Sequence, residues 1–256
     1  LAALVRTQDP DRFLTALFAP AERREALFVL FAFNHELARA REVVSQPLLA
    51  LIRLQWWREV VEGARRRHEV AGPLGEALDA GQLDGDVLLE MIAAREQEAD
   101  AEVADRAAWL GMIAGSAGAL AGAAGRVLGA SAEDLARLRA LGTAYGVAGV
   151  LRSVAALARQ ERCLLPADVL GAHGLTVHDI LADPSQADRV VPELAEEGAI
   201  LLRAGQGRFD RSVIAAALPA VLARRDLGRL LRRVSAVPRG LGDRLAVTRA
   251  AFLRRV

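Results

Sequence analysis

Between Arg106 and Arg126 lie 19 residues, Ala107 to Gly125, that carry no charge. A helix that long and that uncharged either crosses a bilayer or lies inside a helical protein. The stretch is mostly Ala and Gly, which insert into lipid far less willingly than Leu or Phe. The pairs Gly111/Gly115 and Gly118/Gly122, with Gly142/Gly146 in the next apolar segment, have small-xxx-small spacing, which lets two helix backbones approach closely. The expectation is two tightly packed interior helices, not a membrane span.

The rest of the chain reads as helix after helix. Pro20 precedes a periodic run from Ala21 to Val44 with Leu27, Leu30, Phe31, Asn34 and Leu37 on one face. Pro47 opens a helix through Arg66, and Asp84 or Asp86 caps another that reaches about Asp100. Ser131 with Asp134 starts a long helix ending near Arg159. Shorter helices follow Pro166, Thr176 and Ser185, and two or three more fill the C-terminal part. Strand-like alternation bounded by turns is absent, as are strong repeats and low-complexity linkers. With 53% hydrophobic residues there is ample core for one all-α domain spanning 1–256.

Charge is divided unevenly. Lysine is absent, so all 33 basic residues are Arg. The segment 203–256 carries 13 Arg against Asp210, Asp226 and Asp243, while the remainder is acidic. Such a basic segment either faces an anionic partner or pairs with the acidic body of its own protein. From Arg224 to Arg233, a helix sets Leu227, Leu230, Leu231 and Val234 on one stripe with Arg225, Arg229, Arg232 and Arg233 around it. The expected arrangement packs the Leu stripe inward and turns Arg toward anionic head groups, giving salt-sensitive attachment to a membrane surface. Nucleic acid is not an expected partner. The single cysteine, Cys163, excludes a disulfide framework and agrees with a reducing compartment. No basic n-region precedes an apolar run at the start, so a cytoplasmic location, peripheral to the inner membrane, is expected.

Familiar catalytic motifs are missing: no Walker loop, no GxGxxG after a strand, no HExxH and no GxSxG. His173 and His178 lack the companions a metal site requires. His35, beside Glu36 in an apolar helix, reads as a buried histidine, with a pocket-lining role left open. Trp56 and Trp57 divide between core and surface.

Two segments carry a family resemblance. The first is Arg23-Arg24-Glu25-Ala26-Leu27-Phe28 with Phe31-Ala32-Phe33-Asn34. The second is Leu151-Arg152 with Arg162-Cys163-Leu164-Leu165-Pro166 and His173-Gly174-Leu175. In order and spacing they resemble the squalene/phytoene synthase family, from about Asp9 to Asp183. The resemblance implies an isoprenoid-synthase (trans-prenyltransferase-like) helical bundle around a central apolar cavity, in which two prenyl diphosphates are joined head to head. That chemistry needs two Asp-rich helix faces, because Mg²⁺ held by carboxylates neutralises the departing diphosphate.

At those positions this sequence departs. Where the family has its first Asp-Asp-x-x-Asp, Asn34-His35 leads to Ala38, Arg39 and Glu42. Where the second motif follows Leu-Arg, the positions are Ser153, Ala156 and Leu157, and the family's preceding Asn is Gly149. One motif carboxylate, Glu42, remains. No catalytic residue, no metal ligand and no cofactor is therefore expected, with Mg²⁺ required only if the chain is a synthase with an altered site. The resemblance makes His35, Arg39, Arg152 and Arg162 candidate diphosphate or anion contacts. Phe33, Asn34, Ala38, Glu42, Tyr145, Gly149 and Ser153 are candidate cavity lining. The plainer alternative for Arg39 is an i,i+3 pair with Glu42, worth a few tenths of a kcal/mol.

Within the family, Phe31-Ala32-Phe33-Asn34-His35-Glu36-Leu37-Ala38, Val44-Ser45 and Arg53-Leu54-Gln55-Trp56-Trp57-Arg58 are similar to a branch that includes a mitochondrial respiratory complex I assembly factor and its bacterial relatives. This similarity implies an isoprenoid or other lipid ligand and a respiratory-complex subunit as partner. The alternatives are an active farnesyl or geranylgeranyl diphosphate transferase, and a protein-interaction scaffold with a collapsed cavity.

Overall fold

The computed structural model describes residues 1–42, 47–98, 102–233 and 237–256, and the side chains of 41, 42 and 47 are not described. Val44, Ser45 and Val234 lie outside the described residues, as does the side chain of Glu42. The N-terminal half contains α1 (Ala2–Gln8), α2 (Pro10–Ala16), α3 (Arg24–Glu42), α4 (Pro47–Val61), α5 (Ala71–Asp79) and α6 (Gly85–Gln97). The central helices are α7 (Arg106–Ile113), α8 (Ala119–Val127), α9 (Ala132–Arg152) and α10 (Val154–Ala158). Then follow α11 (Ala167–Ala172), α12 (Val177–Ala182), α13 (Val191–Gly205), α14 (Ile214–Ala217), α15 (Pro219–Leu230) and α16 (Leu241–Leu253). Among the described residues there is no β-strand; two isolated bridges, Val103 with Pro166 and Arg208 with Arg255, are the β-type pairings.

Local chemistry sets the helix starts. Asp84 accepts from the Asp86 N–H at 3.1 Å, Asp105 from Ala108 at 2.8 Å, and Ser131 from Asp134 at 3.1 Å. Each satisfies one backbone donor that a helix N-terminus leaves unpaired. Thr176 and Asp179 cap α12 reciprocally.

The uncharged stretch forms one continuous helix, Arg106–Val127, long and apolar enough to cross a membrane by length and composition. More than half of its most apolar window is buried within the bundle, as suits a core helix. A π turn at Ala114–Gly118 separates α7 from α8, and the Ser116 hydroxyl donates to the Met112 carbonyl at 2.9 Å. The seam against α9 is as close as the spacing predicts. A Cβ on Gly142 would sit 2.6 Å from the Ala117 carbonyl oxygen, and one on Gly146 would sit 2.7 Å from the Ala117 Cβ. Gly111 is open to solvent and takes no part in this contact.

Several elements differ from the sequence expectation. α3 is buried from Ala26 through Asn34, not along one stripe, because α2, α4, α5 and α8 pack around it. His35 is half-buried, and Glu36 is the buried polar neighbour. α4 ends at Val61, short of Arg66. α9 ends at Arg152, where Ser153 leaves helical geometry and α10 begins. After Ser185 comes not a short helix but a 3₁₀ turn and the 15-residue α13. Trp57 is buried and meets Phe33 edge-on at 5.5 Å, while Trp56 is partly exposed. In α15, Leu227 and Leu230 face the core, while Leu231, at the end of the helix, is exposed.

Candidate functional site

α3, the π turn and α9 enclose a cleft of about 220 Å³, with the end of α6 and the Arg162–Leu164 segment at its rim. From α3 come Asn34 and Ala38; from α9 and the residues after it come Tyr145, Gly146, Gly149, Ser153 and Leu157. A helix turns about 100° per residue, so positions 34 and 38 share a face, as do 145, 149 and 153. These are the faces on which the sequence comparison finds carboxylates replaced.

Three arginines reach the cleft: Arg12, Arg95 and Arg162. Among the described residues its lining includes one acid, Glu98, which accepts from Arg95 Nη1 at 2.6 Å and lies 3.8 Å from Arg162 Nη2. All three of these side chains are largely buried. Arg95 Nε is buried without an acceptor among the described residues. A buried donor left in this way costs free energy unless something else accepts its hydrogen.

Tyr145 occupies the inner end. Its hydroxyl donates to Asp11 at 3.0 Å, and Arg12 lies over its ring at 4.9 Å from the centroid. Burial pushes the phenol well above its ordinary range, so it stays a neutral donor. Behind Tyr145 the interior narrows to a space of about 20 Å³ lined by Phe31, Leu120, Leu141 and Ala216, room for about one water.

From Tyr145 a polar chain runs into the basic segment. Arg239 Nε donates to Asp11 at 2.9 Å, and its terminal nitrogens reach Asp226 at 2.8–2.9 Å. Asp226 also accepts from Arg152 at 2.9 Å and from Arg229 at 3.3 Å. Asp243 accepts from Arg225 at 2.6 Å and from the Gly240 N–H at 2.9 Å.

Of the expected lining residues, Asn34, Ala38, Tyr145, Gly149 and Ser153 do line the cleft, and Arg162 joins them. Phe33 does not: one position before Asn34, it is turned toward α4, fully buried against Trp57. His35 and Arg39 fall on the next face of α3, outside the cleft, and Arg39 pairs with Glu36 at 3.4 Å. Arg152 points from α9 toward α15 and is held by Asp226. His173 Nε2 lies 2.9 Å from Glu193 Oε2, within hydrogen-bond distance. Arg12, Arg95 and Glu98 are the residues that sequence reasoning missed. Arg95 and Glu98 read as an ordinary i,i+3 surface pair, and nothing local says that the end of α6 meets Arg162 in the segment after α10.

This helical bundle, with its cleft between facing helices of the N-terminal and central parts, has the isoprenoid-synthase architecture. A crystal structure of a dehydrosqualene synthase in complex with ligand superposes with a TM-score of 0.79, covering 98% of this chain and 94% of that one at 13% identity. The sequence model of the squalene/phytoene synthase family matches residues 5–251, and the chain belongs to that family. Its relatives include the NADH dehydrogenase (ubiquinone) complex I assembly factor 6 of Mus musculus, 31% identical over 244 residues. The Homo sapiens protein of the same name is 28% identical over 244 residues; in both cases the match covers 91% of this chain and 72% of the relative.

The family's chemistry implies Mg²⁺, and the described residues do not fit it. Ala38, Gly149, Ser153 and Leu157 offer no carboxylate, and Glu98 is engaged by Arg95 and Arg162. Among the described residues no group of three His, Cys, Asp or Glu side chains could share an ion.

Proposed function

We propose that this is a non-catalytic squalene/phytoene synthase family protein that binds the anionic head of an isoprenoid or other lipid without Mg²⁺ and assists assembly of a respiratory complex, as a cytoplasmic protein peripheral to the inner membrane. The observation that carries this reading is the exchange of charge in the cleft. Acidic positions are filled by Ala38, Ser153 and Leu157, while Arg95 and Arg162 converge on Glu98 and Arg95 Nε lacks an acceptor among the described residues. Guanidinium groups bind phosphate oxygens directly and bidentately, which metal-free recognition requires. A cleft of about 220 Å³ is below the roughly 300 Å³ at which small-molecule pockets usually begin. It suits one head group better than two prenyl diphosphates side by side. The assembly role is supported by the names of the relatives and by the joint loss of acids and presence of Asn34-His35-Glu36-Leu37-Ala38.

The narrow space behind Tyr145 favours a second reading, a protein-interaction scaffold whose cavity has closed. Mass spectrometry of lipids that co-purify with the native protein separates the two. A stoichiometric isoprenoid or phospholipid, lost in the Arg95→Gln/Arg162→Gln variant, supports the lipid reading, and none at all supports the scaffold. Mg²⁺-dependent turnover of farnesyl or geranylgeranyl diphosphate would overturn both.

A further inference from the structure

α16 carries two different apolar faces. Val247, Ala250 and Ala251 are buried against the bundle. On the opposite side, at about 100° per residue, Leu241, Leu245 and Phe252 fall within a single narrow arc. They are 78%, 68% and 80% exposed. Arg244 and Arg249 flank this stripe, both exposed, and the acid of α16, Asp243, is buried and held by Arg225. Beside Phe252 opens a groove of about 990 Å³ in which Leu17, Phe18 and Pro20 meet Arg24, Arg211 and Arg254, with no acid among the described residues that line it.

We propose that α16 and this groove are the face by which the protein lies on an anionic phospholipid bilayer. Leu241, Leu245 and Phe252 enter the boundary between head groups and acyl chains, and the flanking arginines meet lipid phosphates. Leu and Phe on one stripe with Arg at its edges is the pattern of a helix lying in the interfacial plane. The proposal rests on the reading of the protein as peripheral to a membrane, and adds which surface makes the contact. It moves that contact away from α15, whose Leu227 and Leu230 are buried and whose Arg225 and Arg229 are held by Asp226 and Asp243. A second copy of the chain is a poorer occupant. A two-fold contact would bring together two faces that each carry Arg244 and Arg249 while the acid of α16, Asp243, is buried, and like charges without a facing carboxylate oppose association.

The test is flotation of the full chain with phosphatidylcholine vesicles, with and without phosphatidylglycerol. The wild type is expected to float with the anionic vesicles and to be released by salt. Arg244→Gln/Arg249→Gln should weaken binding about thirty-fold, the equivalent of about 2 kcal/mol at about 1 kcal/mol per basic residue. Leu241→Glu/Leu245→Glu/Phe252→Glu should abolish it, while Ile52→Glu, at an exposed position on α4, should leave it unchanged. All these side chains are exposed, and thermal unfolding of each variant verifies the fold. Equal flotation with neutral vesicles, or a wild type that dimerises through Leu245, overturns the assignment of an anionic surface. Binding by the wild type that survives all α16 changes overturns the face but not the membrane reading. A wild type that does not float with anionic vesicles overturns both.

Discussion

Arg152 and Asp226, 74 residues apart, meet at 2.9 Å, with the Asp226 side chain 3% exposed. Asp226 also receives Arg239 and Arg229, so one buried carboxylate joins α9, α15 and the segment before α16. Removing it leaves several guanidinium groups without their acceptor, and breaking such a buried pair typically costs about 3–5 kcal/mol. The arginines keep some access to water, so Asp226→Asn is expected at the low end, about 3 kcal/mol. Arg152→Gln should cost about 1 kcal/mol, because Asp226 keeps two partners. Urea unfolding of both variants checks the ranking, and equal losses would show that Arg152 alone carries the junction.

The seam between the π turn and α9 makes an opposite pair of predictions. Gly142→Ala pushes a methyl group toward the Ala117 carbonyl, which is backbone and cannot swing away. A loss of about 2 kcal/mol is expected, typical of overpacking. Gly111→Ala meets nothing within 4 Å and should stabilise by up to about 1 kcal/mol through helix propensity. The same urea titrations read both.

Acid should loosen the C-terminal part through Asp243. Burial alone would raise its carboxyl, but the Gly240 N–H and Arg225 outweigh that and hold it below the ordinary range. A depressed folded-state value means that the stabilisation is complete above the unfolded value near 4 and disappears as pH falls through the lower, folded one. Melting temperature measured from pH 6 to pH 3 should drop steeply at the acid end for the wild type and less steeply for Asp243→Asn. Parallel curves would remove Asp243 from the acid response.

Metal should not rescue the cleft. Calorimetric titration with Mg²⁺ and a prenyl diphosphate analogue is expected to show no tight, metal-dependent binding, since Ala38, Ser153 and Leu157 supply no oxygen anions. Restoring Ala38→Asp and Arg39→Asp should not produce turnover, because the facing wall on α9 stays empty and position 39 lies off the cleft.

Cys163 gives a simple probe of folding. It is buried, and burial pushes its thiol above the ordinary range. An aromatic disulfide reagent at pH 8 should label it only at the rate at which the protein opens. Rapid labelling of the native protein would place Cys163 in a mobile segment instead.

Much of this was readable along the chain because it depends on spacing. Gly142 and Gly146 announce a close seam by their separation alone, and Asn34 with Ala38 and Gly149 with Ser153 share helix faces by periodicity. Phe33, His35 and Arg39 came from the same segment but missed the cleft by one position each, since a single step turns the side chain by about 100°. Arg95, Glu98 and the chain from Tyr145 through Arg239 to Asp226 depend on which helix ends meet in space, which no local pattern encodes. The second apolar stripe of α16 was hidden for a related reason: a helix with Leu or Phe on one side and Val and Ala on the other looks merely hydrophobic until burial shows which side is inside.

The π turn at Ala114–Gly118 has a consequence for how this cleft can change. A wide turn holds one residue more than an α turn, so the two halves of the Arg106–Val127 rod are out of phase. Deleting a single residue there would let the rod close into regular α geometry without breaking it. The wide turn already takes up that residue, so the halves carrying Trp109 and Leu120 would keep their faces and the change would fall on the wall that Ser116 and Ala117 share with Tyr145. Length variation of one residue at this point is thus a ready route for a lineage to reshape the pocket while keeping the rod intact.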